Sequence, residues 1–180
     1  MKERSIRIAR TARYYTLGSS ATSPSELWLV CHGYRQLARR FLPRFSGLDD
    51  GTRLIVAPEG LSRFYLHDPA SGRHGKEVPV GATWMTREDR ENEIADYIGF
   101  LDAVVGEVTA APGAGSDGGS GAGLGVGSSK ESGRLTVFGF SQGVQTVCRW
   151  MAAGDTAIER VILWGGYPPH DLDLQRGPDR

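Results

Sequence analysis

Leu135-Thr136-Val137-Phe138-Gly139-Phe140-Ser141-Gln142-Gly143, continued by Val144 to Ala153, is the stretch that decides the fold. The run before the serine is short, β-branched and aromatic, which predicts a strand buried on both faces. Beyond it Val144, Val147, Cys148 and Met151 recur at helical spacing, and Gly154 offers a C-cap. Gly139-Phe140-Ser141-Gln142-Gly143 therefore fits G-x-S-x-G in a strand–turn–helix context. There the turn is tight enough to need glycine on both sides, and the serine is held exposed above the sheet. Its hydroxyl sits at a helix N-terminus, where backbone N–H groups favour developing negative charge. In a chain with 25 glycines the plain alternative is a Gly-Ser turn that merely connects a strand to a helix.

Further buried strands are predicted on either side of this stretch. Leu27 to Cys31 forms one, ending in His32-Gly33-Tyr34, and Arg53 to Ala57 another, stopped by Pro58-Glu59-Gly60. Between them Leu37, Phe41, Leu42 and Phe45 fall on one side of a helix over 36–45 that Pro43 should kink or shorten. Residues 4–17 read as an extended, partly exposed strand ending at Gly18, with Ile6 and Ile8 alternating with polar residues. Residues 61–85 read as a long irregular segment carrying Phe64, Tyr65, His67, His74 and Trp84. Such loops at strand ends tend to be functional, the alternative being a surface excursion over the core. Thr86 with Asp89 resembles a capping box. Ile94, Tyr97, Ile98, Leu101 and Val105 then mark an amphipathic helix ending near Gly106. Arg160 to Gly166 is the last buried strand, followed by Tyr167-Pro168-Pro169-His170 and an acidic tail.

The 180 residues suit a single domain, and a formal net charge of zero lacks the basic footprint of a nucleic-acid binder. No apolar run approaches a membrane span, and the N-terminus lacks a signal-peptide core. Cys31 and Cys148 fall in predicted buried elements and read as core residues in a reducing, cytoplasmic compartment. No cofactor or metal is called for. Residues 110–132 are Gly-, Ala- and Ser-rich and read as a flexible surface insertion. Gly121-Ala122-Gly123-Leu124-Gly125 within them is not a phosphate loop, since no strand leads in and no lysine–hydroxyl pair follows. Strands alternating with helices predict an α/β domain, a mostly parallel sheet with helices on both faces. Ser141, the 32–34 turn, the 58–85 segment and residues 165–173 should then meet at one sheet edge.

Five pieces carry a family resemblance. They are Cys31-His32-Gly33-Tyr34, Ala57-Pro58-Glu59-Gly60, Trp84 before a helix, Gly139-Phe140-Ser141-Gln142-Gly143, and Leu163-Trp164-Gly165-Gly166. In order and spacing they resemble the α/β-hydrolase fold, and within it the phospholipase/carboxylesterase group that includes acyl-protein thioesterases. The resemblance implies that Ser141 attacks an ester or thioester carbonyl and that the backbone N–H groups of Tyr34 and Gln142 bind the oxyanion. His32 and Gly33 would support the oxyanion loop, with a buried structural histidine as the alternative for His32. Phe64, Tyr65, Trp84 and Trp164 would line an acyl pocket, with core packing as the alternative for each.

The triad order on this fold is Ser, then Asp or Glu, then His. The family places that acid and histidine after two further strands beyond Trp164, and this chain stops before either. Only His170, Asp171, Asp173 and Asp179 follow as candidates, while His67 and His74 precede the serine, against the family order. The expectation is a family member lacking its C-terminal part, with impaired hydrolysis and a sheet edge at Val161–Trp164 open to self-association. The competing reading is an inactive hydrolase-fold protein that binds an acyl ligand or a partner chain.

Overall fold

The computed structural model describes residues 1–18, 24–66, 78–110 and 134–172. In chain order these hold β1 (Tyr14–Gly18), β2 (Glu26–Cys31), α1 (Ala38–Phe41), a 3-10 turn (Leu42–Leu48), β3 (Arg53–Pro58), β4 (Ser62–Tyr65), β5 (Val80–Thr83), α2 (Arg90–Thr109), β6 (Arg134–Phe140), α3 (Gln142–Ala153) and β7 (Arg160–Trp164). Five strands form one sheet in the order β1-β3-β2-β6-β7. The pairs β2–β3, β2–β6 and β6–β7 are parallel, and only β1 runs antiparallel, against β3. From β2 the chain steps to one side as β3 and returns to the other as β6. That reversal places a topological switch point at the carboxyl ends of β2 and β6, where sites on open α/β sheets form.

Both faces of the sheet are apolar, so each needs a cover. Leu29, Cys31 and Val137 meet Tyr97, Leu101, Val147 and Trp150 of α2 and α3 on one face. Val30, Ile55 and Ala57 meet Phe41, Leu42 and Phe45 on the other, with Phe138 and Phe140 at its margin. Burying such a side chain fully stabilises the fold by about 1.5–3 kcal/mol. The arrangement is the mostly parallel sheet with helices on both faces that the sequence predicts. Asp102 of α2 accepts hydrogen bonds from Trp150 Nε1 and Thr156 Oγ1, both at 2.7 Å, and from the Asp155 and Thr156 amides. Burial pushes the Asp102 pKa up, but these donors outweigh it and hold the carboxyl below its ordinary range. The same bonds fix where the chain enters β7.

Three expectations are corrected, and the shortening of the 36–45 helix at Pro43 is borne out. The first strand is confined to Tyr14–Gly18, because only those residues pair with β3, while Ile6 and Ile8 stay exposed. The 36–45 helix keeps one α-turn and continues as a 3-10 turn from Leu42, with Pro43 at its start. The 61–85 segment contains a hairpin of β4 and β5, with Ser62 opposite Thr83 and Tyr65 opposite Val80. Asp89 precedes α2 with φ +48° and makes no capping bond, and α2 runs on to Thr109. Except for Ala110, the 110–132 insertion lies outside the described residues.

Candidate active site

Ser141 joins β6 to α3 at φ 54° and ψ −115°, a conformation that costs an ordinary residue about 1–3 kcal/mol. The flanking glycines make the turn possible. A Cβ on Gly143 would stand 2.3 Å from the Cys31 carbonyl oxygen, and one on Gly139 would stand 2.6 Å from the Gly143 oxygen. Ser141 is the residue before the first turn of α3, yet its side chain makes no capping hydrogen bond. Its hydroxyl is thus not spent on capping, and the first turn of α3 carries no acidic residue to cancel the helix dipole.

The pairing of Cys31 with Gly139 brings the turn after β2 beside the serine. A Cβ on Gly33 would lie 3.1 Å from Ser141 Cβ. His32 is fully buried and spends both ring nitrogens on backbone. Gly60 N–H donates to Nε2 at 2.9 Å, so the proton sits on Nδ1 and is donated to Gly33 O at 2.8 Å. Burial pushes the His32 pKa below its ordinary value, against smaller opposing effects of the Gly33 bond and Glu59. A neutral histidine with both nitrogens engaged positions a loop and cannot take a proton from serine. Trp84 Nε1 donates to His32 O at 2.8 Å, which fixes the same turn from behind.

The β4–β5 hairpin braces this loop. Arg35 N–H donates to Ala82 O at 2.9 Å and Ala82 N–H to Gln36 O at 3.1 Å, while Gln36 Oε1 accepts from Gly33 N–H. Arg35 takes φ 67° to make the bend. Among the described residues the Tyr34 amide meets no acceptor. The Gln142 amide, first in α3, has none within its helix. The Gln142 side chain staples α3 to the end of β5: Nε2 donates to Met85 O and Thr83 Oγ1, both at 2.9 Å, and Oε1 accepts from Trp84 N–H. On the far side Ser141 N–H donates to Trp164 O at 3.0 Å, and a Cβ on Gly166 would stand 2.5 Å from Ser141 O.

The structure brings Ser141, Gln142, His32, Gly33 and Tyr34 together at the carboxyl ends of β2 and β6. Of the four aromatics, Trp84 is 1% exposed and belongs to the core. Phe64 stacks on Tyr34 at 5.4 Å between centroids, and Tyr65 and Trp164 are exposed. His67, His74, Asp173 and Asp179 lie outside the described residues. His170 is exposed, and among the described residues no histidine is hydrogen-bonded to Ser141 or to a carboxylate. Asp171 is held by Arg149 and Arg90, whose hydrogen bonds bring its pKa down to about 2. Glu59, quoted only as part of a motif, is buried with Arg13 at 2.6 Å, and its second oxygen accepts from Ala38 N–H at the start of α1. Met85 and Thr83, the partners of the Gln142 side chain, carried no sequence signal. Among the described residues no group of three His, Cys, Asp or Glu is placed to hold a metal ion, and no helix is long and apolar enough to cross a membrane.

No protein-family model matches the chain, and no curated protein matches it by sequence. Solved structures do match its fold. An esterase, PE8, aligns at 17% identity and TM-score 0.53 over 88% of this chain and 66% of its own. The acyl-protein thioesterase 2 of Zea mays aligns at 12% identity and TM-score 0.50 over 89% and 64%. A lipase in its open form aligns at 16% identity and TM-score 0.50 over 84% and 39%. The chain thus spans between 39% and 66% of the length of these structures. Together with the sheet order, these likenesses show that the chain has the α/β-hydrolase fold.

Proposed function

We propose that this chain carries the nucleophile and oxyanion side of a serine hydrolase acting on carboxylic esters or thioesters. Ser141 attacks the carbonyl, and the amides of Gln142 and Tyr34 receive the negative charge that develops on its oxygen. The observation that carries the reading is the strained Ser141 backbone, held between two close-approach glycines with its hydroxyl unspent on capping. The names of the aligned structures, an esterase, a thioesterase and a lipase, support the same reaction class. Phe64 stacked on Tyr34, and the exposed Trp164 whose carbonyl holds Ser141 N–H, are the apolar surfaces offered to an acyl chain. Tyr65 is the neighbour of Phe64 on a strand and faces the opposite side. The buried free cysteines fit a reducing, cytoplasmic setting.

Attack by serine needs a base oriented by a third group, and the described residues supply no such pair. That observation favours a second reading, a hydrolase-fold protein that binds an acyl ligand or a partner chain without turnover. p-Nitrophenyl acetate hydrolysis separates the two. The nucleophile reading expects slow turnover, at most about 10³–10⁴-fold over water, lost in Ser141→Ala and raised by orders of magnitude when a C-terminal segment with Asp and His is appended. Turnover unchanged in Ser141→Ala would refute it. An ordinary esterase rate abolished by His67→Ala, His74→Ala or His170→Ala would instead make a local histidine the base.

A further inference from the structure

The carboxylate of Asp171 rests in a cradle of two guanidiniums set apart from the serine. It accepts from Arg149 Nη2 at 2.9 Å and from Arg90 Nη2. Arg149 projects from α3 with 10% of its side chain exposed, and Arg90 from the first turn of α2 with 30%. Glu91 takes the other Arg90 nitrogen from the solvent side, leaving Nη2 for the cradle. Tyr97, also from α2, is wholly buried, and its hydroxyl has no hydrogen-bond partner. Burial raises the Tyr97 pKa to about 12, while Arg149 and Arg90 pull it the other way, so the hydroxyl lies in the field of both guanidiniums. The occupant is less committed than the cradle: the Asp171 side chain is 49% exposed, in the loop after β7.

Pinning that loop to α3 would need one guanidinium. Two guanidiniums on one carboxylate, with a buried hydroxyl in their field, match the way Arg pairs recognise oxyanions. We propose that Arg149, Arg90 and the Tyr97 hydroxyl form an oxyanion-binding subsite for the carboxylate or phosphate of a ligand, which Asp171 occupies until the ligand displaces it. The subsite lies within reach of the serine turn. Arg149 is seven residues beyond Gln142, about 10 Å along the helix axis. Met85 spans the interval, its oxygen bound by Gln142 Nε2 and its sulfur 3.5 Å from Arg149 Nη1. A small ligand anchored here extends toward Ser141, although binding itself does not depend on Ser141 being a nucleophile.

Calorimetric titration of the full chain with inorganic phosphate and, separately, succinate at constant ionic strength tests this. A tethered carboxylate competes at an effective concentration in the millimolar range, so Asp171→Ala should bind at least one of the two anions about 10-fold or more tighter than the unmodified chain. Preference for phosphate or for succinate then sorts the two ligand sources. Adding Arg90→Gln, whose side chain is partly exposed, should remove that gain, and adding Tyr97→Phe should weaken it. If Asp171→Ala fails to fold, Asp171→Asn makes the same comparison, since its neutral amide cannot stand in for the anion. The proposal is overturned if removing the Asp171 charge leaves both affinities unchanged, or if the Arg90→Gln double variant binds as tightly as the single one. Neither result bears on Ser141, whose labelling is read separately.

Discussion

Gly143→Ala is the substitution whose cost is most directly legible in the structure. The new Cβ would sit 2.3 Å from Cys31 O and 2.9 Å from both Cys31 C and His32 O. Ordinary carbon–oxygen contacts begin near about 3.3 Å, so α3 and the end of β2 must part by about 1 Å. Both sides of the clash are backbone, and neither is free to move. β2 is locked to β6 from Glu26 to Cys31, and the turn beyond it is held by His32 and Trp84. Overpacking of this kind costs about 1–3 kcal/mol. For a domain of this size each kcal/mol lowers the unfolding midpoint by about 2–4 °C, so a fall of about 2–12 °C is expected. The same displacement moves Ser141 away from Gly33 and Tyr34, and a misplacement of about 1 Å costs about 10²-fold in reactivity. Gly106→Ala is the internal control. Nothing lies within 4 Å of its Cβ in α2, so it should gain up to about 1 kcal/mol from helix propensity alone. Thermal melts followed by circular dichroism, with fluorophosphonate labelling rates on the same samples, read both effects. A Gly143→Ala protein that melts with the unmodified chain and labels as fast would refute the reasoning.

Gln142→Ala removes the bonds to Thr83, Trp84 and Met85 and leaves a buried amide unpaired, which should cost about 1–3 kcal/mol; an unchanged urea midpoint would contradict this. His32 has a folded pKa below its ordinary 6.5, so the unfolded chain binds the proton first as pH falls. Its contribution is complete above pH 6.5 and is lost progressively below it; a stability difference between the unmodified chain and His32→Gln that stays constant from about pH 7 to about pH 5 would be the wrong result. Among the described residues β7 pairs on one side only, with Leu163 40% and Trp164 65% exposed. Light scattering at micromolar concentration should find dimers or larger species, and a monodisperse monomer would count against edge pairing.

The fold was legible where apolar runs were long enough to need two covered faces. Leu27–Cys31, Arg53–Ala57 and Leu135–Phe140 become covered parallel strands, whereas Arg160–Trp164, read as buried, is a parallel strand left largely exposed; their shared carboxyl edge follows from alternation with helices. The β4–β5 hairpin was not legible. Its strands are four residues each, Ser62-Arg63-Phe64-Tyr65 and Val80-Gly81-Ala82-Thr83, and neither shows clean alternation or a turn signature. Asp89 illustrates a local rule overridden: Thr86 and Asp89 have capping-box spacing, but Glu93 reaches back to the Thr86 amide and hydroxyl instead. At the site, the motif announced Ser141 and the two glycines. The partners of Gln142 and the hydrogen bond from Gly60 N–H to His32 depend on long-range register, which no single stretch of sequence encodes. The Arg149–Asp171 pair was hidden for the same reason, since 22 residues separate its members.

Whether Ser141 is a nucleophile held by its turn can be measured directly. A fluorophosphonate reacts with an activated serine by forming a phosphorus–oxygen bond and releasing fluoride, so even a slow nucleophile is trapped in time. The full chain should be incubated with the reagent beside Ser141→Ala and a urea-unfolded sample, digested, and mapped by peptide mass spectrometry. The adduct is expected on Ser141 in the folded chain alone. An adduct on another serine at equal rate, or labelling of Ser141 that is no faster folded than unfolded, would contradict it.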